Sequence, residues 1–309
     1  MPVKIGVVGG GAMGSLFAAL FSHDDVWLYE PVNNAHVREI QCHGLTIEEM
    51  DRHHRTVRLH ATSVASEVGV CDVIALFVKA PVTQDALAGA EALIGSETIV
   101  LSLQNGIGIR EQIERHVPRE RIFRGVTSHG ATFVGPGLVR HAGVGQTKVG
   151  PVSQSASEGS CERIKTMLQR AGIPFAFEPS TECMLWEKVI INAGINALTA
   201  LMDVPNGELV QDPQLLSVMR SAVDEASAVA RAMGYELCAA EMRAEVERVA
   251  RATATNISSM LQDVRAGRQT EIGFINGAII RYGAENGIEV PTNTLLARMV
   301  QRIDEGWRG

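Results

Sequence analysis

The chain has 309 residues, 46% of them hydrophobic, and its 35 acidic and 28 basic side chains leave a net charge of -7. That length exceeds what one hydrophobic core usually organises, so two domains are expected, and the spread of charge offers no basic cluster to attract nucleic acid or an anionic membrane. Five cysteines without a CxxC spacing, a start that runs straight into a strand, and no apolar run of membrane-spanning length predict reduced thiols in a cytoplasmic protein.

The first element is the most informative. Val3-Lys4-Ile5-Gly6-Val7-Val8 reads as an apolar strand, followed by Gly9-x-Gly11-x-x-Gly14 and the helical run Leu16-Phe17-Ala18-Ala19-Leu20. Between a strand and a helix this glycine spacing has a mechanical sense. Gly9 permits the sharp turn, Gly11 lets the backbone approach a pyrophosphate, and Gly14 lets the helix pack close to the sheet. The open amides of the segment, which also contains Gly10, Ala12 and Met13, would hold the phosphates. The next strand, Val26-Trp27-Leu28-Tyr29-Glu30, stops at Pro31 and puts the Glu30 carboxylate about twenty residues after the glycines, where ribose hydroxyls are read. A carboxylate there accepts hydrogen bonds from a diol and repels a 2′-phosphate. Residues 29–37 hold no Lys or Arg to neutralise one, so NAD is favoured over NADP as cofactor.

Strands and helices continue to alternate to about residue 126, the signature of βαβ units and a parallel sheet. A helix is expected over 33–43 and a hairpin from 45–47 and 56–59. Near-continuous apolar runs at 72–78 and 98–103 predict strands covered on both faces. Frequent Gly and alternating residues over 129–150 predict antiparallel strands closing one edge of the sheet. A helix over 157–170 and a strand over 174–177 complete a domain of residues 1–179. Pro179-Ser180-Thr181 reads as a break with a helix N-cap. Helical patterns follow at 181–202, 213–233, 239–264 and 269–286, so residues 180–309 form an all-helical second domain. The fold class is α/β, a doubly wound sheet followed by a helical domain, with the substrate site expected in the cleft between the two.

All nine histidines lie between His23 and His141, so a proton donor from the helical half must be another residue type. Of the five lysines only Lys165 and Lys188 follow residue 150. Lys188, Asn192 and Asn196 recur at i, i+4 and i+8, along one stripe of a helix whose circumference is mostly apolar. An ammonium and two amides on such a helix need partners, because an unpaired buried polar group costs about 1 to 3 kcal/mol. A bound keto acid, or a polar seam with a neighbouring helix, would supply them. Ser258 and Ser259 place hydroxyls within a helical pattern, and Glu271 begins another. Each has an ordinary use as well, satisfying backbone for the serines and complementing a helix dipole for the acid. Lys79 and Asn105 each follow a buried strand, at the edge where ligands bind in doubly wound sheets. Lys79 reaches a cofactor phosphate on this reading and Asn105 a ribose, nicotinamide or substrate; a solvated loop position serves either equally well.

Together these segments resemble the ketopantoate reductase (2-dehydropantoate 2-reductase) family over nearly the whole chain. The residues that carry the resemblance are the Gly9 to Gly14 turn, Val78-Lys79-Ala80, Gln104-Asn105-Gly106, Trp186-Glu187-Lys188 with Asn192 and Asn196, the run from Asn256 to Asp263, Thr270-Glu271-Ile272 with Asn276-Gly277, and the run from Gly287 to Asn293. The resemblance implies an N-terminal Rossmann domain, a helical C-terminal domain like that of 6-phosphogluconate dehydrogenase, and a homodimer. It implies that Lys188 protonates the ketone oxygen of the substrate as hydride arrives from the nicotinamide. Asn192 and Asn196 would hold the substrate and Ser259 its carboxylate, with Glu271 on the distal hydroxyl or on the lysine itself. Asn105 would bridge cofactor and substrate, and Lys79 would contact the cofactor. The small-molecule substrate implied is a 2-keto acid, ketopantoate first. A D-mandelate-type dehydrogenase acting on branched or aromatic 2-keto acids is the second expectation. A dinucleotide sensor without turnover is the third, and the Lys188, Asn192, Asn196 set speaks against it. NADP is the family-typical cofactor, but Tyr29-Glu30-Pro31 stands where a basic residue is usual. No metal-ligand set is read.

Overall fold

Every strand among the described residues, 2–306, lies before residue 178 in the computed structural model, and the chain divides into two units. One comprises Met1–Gln104 and Ile109–Glu182, the other Asn105–Gly108 and Cys183–Gly309.

The strands of the first unit are β1 (Lys4–Val8), β2 (Asp25–Tyr29), β3 (Leu45–Glu48), β4 (His54–Val57), β5 (His60–Thr62), β6 (Val73–Leu76), β7 (Ile99–Ser102), β8 (Ile122–Thr127), β9 (Gly130–Gly135), β10 (Leu138–Gly143), β11 (Thr147–Pro151) and β12 (Phe175–Phe177). Eight of them form one sheet in the order β12-β11-β8-β7-β6-β1-β2-β5. Only the pairing of β11 with β8 is antiparallel; all other neighbours run parallel. Chain order turns back at β1, between β2 and β6, and the crevice at the carboxyl ends of such strands is where open α/β sheets take their ligands. The apolar runs are explained by cover on both faces: all four residues of β6 and of β7 are buried. Helices α1 (Ala12–Leu20), α2 (Ala35–His43), α3 (Ala65–Val68), α4 (Thr83–Gly89), α5 (Arg110–Ile113) and α6 (Glu158–Arg170) provide the crossovers and flanks. α6 starts where the sequence predicts, on a Ser157 N-cap whose hydroxyl accepts from Ser160 N.

The segment over 129–150 does not close the edge of that sheet. β9 and β10 pair antiparallel, and β10 then runs parallel to β3 of the expected hairpin, giving a separate sheet in the order β4-β3-β10-β9. Only β11 joins the main sheet, and β12 forms the edge beyond it. The physical reason is the outer side of α1, against which β3, β9 and β10 pack. Leu45, Ile47 and Val139 share one core with Leu16, Phe17 and Phe21 of that region.

A buried imidazole joins the small sheet to α1. His36 is 4% exposed, accepts at Nδ1 from Gly137 N in the turn between β9 and β10 (2.9 Å), and places Nε2 2.8 Å from Ser15 Oγ. Burial holds its pKa down to about 4.

In the second unit α7 (Glu182–Met202), α8 (Glu208–Gln211), α9 (Pro213–Ala232), α10 (Ala239–Ala252), α11 (Ser259–Arg265), α12 (Asn276–Glu285) and α13 (Pro291–Gly306) surround one apolar core. α7 buries Leu185, Trp186, Val189, Ile190 and Ile195, each burial contributing about 1.5 to 3 kcal/mol. The pattern expected as one helix over 239–264 is two. Thr253 Oγ1 turns back on Val249 O (2.8 Å) and accepts from Asn206 Nδ2 (2.9 Å), while Asn256 O accepts from Asn206 N (3.0 Å). These side-chain and long-range bonds compete with the helical ladder, and Ser258 caps a new helix. The pattern at 269–286 is likewise broken. Thr270 Oγ1 donates to Asp304 Oδ2 (2.8 Å), a short 3-10 turn follows at Ile272–Phe274, and α12 begins only at Asn276. A buried amide network fixes the bundle. Asn276 Nδ2 donates to Asn293 Oδ1 (3.0 Å), Asn293 Nδ2 donates to Ala222 O (3.0 Å) and Glu225 Oε2 (2.8 Å), and Glu225 accepts from Thr292 N and Asn293 N at the start of α13. No helix of the described residues is long and apolar enough to cross a membrane.

The His36 shift gives a pH prediction. The unfolded chain takes up a proton at this ring near its ordinary value of 6.5, and the folded chain does so only near 4. Between those values the unfolded state binds more protons, so the stability this ring contributes is full above the upper value and is lost as pH falls toward the lower. His129, held low by burial and by the neighbouring His141, acts in the same direction. The urea midpoint should fall between pH 7 and pH 5, and less steeply in His36→Gln. Identical slopes in the two proteins would show that this ring is not a titrating group.

Candidate active site

The glycine turn between β1 and α1 shows three different environments. Gly9 has φ +108, and a Cβ there would lie 2.7 Å from Val78 N. A Cβ on Gly14 would lie 1.9 Å from the Gly9 carbonyl oxygen. At Gly11 a Cβ would meet nothing within 4 Å. Protein therefore fills the space around two glycines, and the third, exposed, faces an opening. Gly11 is also the N-cap of α1, with no side-chain cap and no acidic residue in the first turn. An uncapped helix start beside open space suits a diphosphate, the group that the backbone of Gly11, Ala12 and Met13 fits. Glu30, half-buried just past β2, accepts from Gly10 N with Oε2 (2.8 Å). The turn and the carboxylate that were expected to act together are thus directly bonded.

At the carboxyl ends of β6 and β7, Lys79 is half-buried where a short 3-10 turn, Ala80–Val82, begins. Gln104, which sequence reasoning left without a role, braces this edge. Its Nε2 donates to Val78 O and Thr83 Oγ1 (both 2.7 Å), and its Oε1 accepts from Ser102 Oγ (2.9 Å). Its signals in the sequence were its place in the Gln104-Asn105-Gly106 segment and a polar residue closing an apolar run, neither of which says what it bonds. His36 and Ser15 carried less signal still, a lone histidine and a lone serine in helical patterns.

In the helical unit Asn105 and Glu271 meet. Asn105 Nδ2 donates to Glu271 Oε2 (3.1 Å), across 166 positions of sequence. Ile107 N donates to Phe274 O (3.0 Å), which seats the rest of the tetrapeptide. Lys188 and Asn192 are half-buried on α7 and Asn196 is 7% exposed, in line among buried apolar neighbours as the spacing requires. The two serines separate. Ser258 accepts from Leu261 N (3.1 Å) and from Thr199 Oγ1 (2.7 Å), so it caps α11 and ties it to α7. Ser259 is exposed at the first residue of α11 and is bonded to none of the other expected site residues. Among the described residues no group of three His, Cys, Asp or Glu is placed to hold a metal ion.

Two family models match the chain: Ketopantoate reductase PanE/ApbA over residues 5–154 and Ketopantoate reductase PanE/ApbA C terminal over residues 182–304. The chain is 34% identical to the 2-dehydropantoate 2-reductase of Archaeoglobus fulgidus over 304 residues, 98% of each protein. It is 32% identical to that of Halobacterium salinarum over 303 residues, 97% of this chain and 98% of the relative. Among solved structures it is similar to D-mandelate dehydrogenase in ternary complex with NADH and anilino(oxo)acetate, with TM-score 0.92 and 30% identity over 99% of this chain and 100% of the other. It is also similar to a PanE/ApbA family ketopantoate reductase from Ralstonia eutropha JMP134, with TM-score 0.89 and 29% identity over 99% and 100%. Matched along nearly its whole length, the chain belongs to the ketopantoate reductase family.

Proposed function

We propose that this protein reduces the ketone of 2-dehydropantoate to a D-2-hydroxy acid, D-pantoate, and that Lys188 is its proton donor. The observation that carries this reading is the polar stripe of α7, an amine and two amides aligned on a helix whose remaining circumference is mostly apolar and buried. A bound nicotinamide dinucleotide supplies the hydride. Lys188 transfers a proton to the ketone oxygen as negative charge builds there, which lowers the barrier where it is highest. Asn192 and Asn196, one and two turns further along α7, hold the substrate against that amine. Ser259 offers its exposed hydroxyl to the substrate carboxylate. Glu271, which accepts from Asn105 Nδ2, faces the distal hydroxyl of the substrate on this reading, and the same bond fixes which way the Asn105 amide points.

The nucleotide is held by the amides at the start of α1, with Lys79 on a phosphate and Asn105 between cofactor and substrate. NAD is the form preferred: Glu30, steadied by the Gly10 amide, accepts from the ribose diol and repels a 2′-phosphate.

A second reading, a D-mandelate-type dehydrogenase, is favoured by the likeness to D-mandelate dehydrogenase bound to NADH, the nucleotide Glu30 selects. Glu271 does not decide between the two, because Asn105 gives it a partner even beside an apolar substrate.

Three measurements test these readings. Lys188→Ala should leave NADH affinity nearly intact and lower kcat by roughly 10² to 10⁴; unchanged turnover removes Lys188 from the chemistry. Glu30→Arg should raise the ratio of NADPH to NADH efficiency by roughly tenfold or more, the size of one charge-assisted bond. Equal kcat/KM with both nucleotides, before and after the change, means that Glu30 does not read the ribose. In a comparison of 2-dehydropantoate, 2-ketoisovalerate and phenylglyoxylate, the first should show the highest kcat/KM. Preference for phenylglyoxylate establishes the second reading.

A further inference from the structure

The glycine turn is held on both sides of Gly10, one bond to each of the two peptides that meet there. Gly10 N donates to Glu30 Oε2 (2.8 Å), and Gly10 O accepts from Ser15 Oγ (3.2 Å). Ser15 Oγ lies 2.8 Å from His36 Nε2, and His36 Nδ1 lies 2.9 Å from Gly137 N. The direction of every bond follows from the one group that cannot reverse. A backbone N–H only donates, so Nδ1 is the acceptor; the proton of the neutral ring is then on Nε2 and goes to Ser15 Oγ, whose own proton goes to Gly10 O. Ser15 is 0% and His36 4% exposed, so water does not compete for these bonds. Phe133 of β9 packs on the ring, 4.9 Å between centroids, and limits its rotation. Neither residue belongs to the Gly-x-Gly-x-x-Gly motif, and both are buried.

We propose that His36 is a positioning residue for the dinucleotide, anchoring the Gly10–Gly11 peptide by its carbonyl through Ser15 to the small sheet so that the amides at the start of α1 are oriented before the diphosphate arrives. The proposal rests on the reading that the Gly9–Gly14 turn holds the nucleotide. Its physical content is preorganisation: a peptide already fixed loses little freedom on binding, so the affinity of the amides for phosphate is not spent on ordering the turn. The chemistry, which belongs to Lys188, does not depend on it.

The test measures the Kd of NADH by its fluorescence on the full chain, together with KM for NADH and kcat. Ser15→Ala and His36→Leu should each weaken Kd about tenfold, the worth of one buried, oriented bond. KM should rise in parallel while kcat stays within about twofold. The double variant should bind no more weakly than either single one, because the bonds are in series. His36→Gln offers an acceptor and a donor spaced much like the ring nitrogens, and should return Kd to within about threefold of the parent value. A Ser15→Ala protein with the parent Kd overturns the proposal, as does His36→Gln binding as weakly as His36→Leu. Should His36→Leu fail to fold, Ser15→Ala and His36→Gln decide. Gly11→Val separates the underlying reading, since its side chain enters open space and its backbone, at φ -69, suits any residue. If Gly11→Val keeps the parent Kd, the glycine turn is not the nucleotide site. If Gly11→Val loses affinity while Ser15→Ala keeps it, the turn stands and the role of His36 falls.

Discussion

Residue 14 has no room for a side chain, and much of the sheet-bearing half follows from that. With only a hydrogen there, α1 rests against the Gly9 carbonyl, closer to β1 than any side chain would permit. The turn that results is tight enough for Gly10 to show its N–H to a carboxylate from β2 and its carbonyl to a hydroxyl from α1. It leaves the first amides of α1 beside open space. The opposite side of α1 then needs apolar cover, and the small β4-β3-β10-β9 sheet provides it.

The helical half answers a different demand. A proton donor is useful only if it is held still, and a long flexible lysine is a poor candidate unless its helix is immobile. α7 is fixed along its length. Its apolar residues lie in the core, Thr199 is bonded to the cap of α11, and the Ala193 carbonyl, next to Asn192, accepts from Asn276 Nδ2 (3.4 Å). Asn276 belongs in turn to the amide network that joins α9, α12 and α13. These buried amides are a helix-positioning device placed one residue from the Lys188, Asn192, Asn196 stripe.

What could be read in the sequence was local. β1, β2, β6 and β7 show as alternating or continuous apolar runs because pleat and burial act on neighbouring residues. The glycine turn, the helix that begins near Ser157 and the Lys188 stripe are set by spacings of a few positions. What escaped was non-local. The small sheet requires β10 to find β3 far back in the chain, and nothing within 129–150 says so. β5 is too short, at three residues, to show a period. The breaks around Thr253 and Thr270 depend on Asn206 and Asp304, distant partners that outbid a helical pattern. His36 looks no different in sequence from His43 of the same helix, yet one is buried and bonded at both nitrogens while the other is exposed. Glu271 and Asn105 were each expected at the site, but only the folded chain shows that they bond to each other.

The tetrapeptide Asn105–Gly108 bears on how such a protein can be taken apart or recombined. It is flanked on both sides by residues of the sheet-bearing unit, yet Ile107 is part of the hydrophobic core of the helical one. No single scission separates the two units cleanly: a fragment ending near residue 182 carries an apolar plug with nothing to fill, and a fragment starting there has a hole where the plug belongs. Chimeras that join the front of one relative to the back of another inherit a mismatched plug at the same place. Exchange of the halves therefore requires moving four residues from the middle of one along with the other.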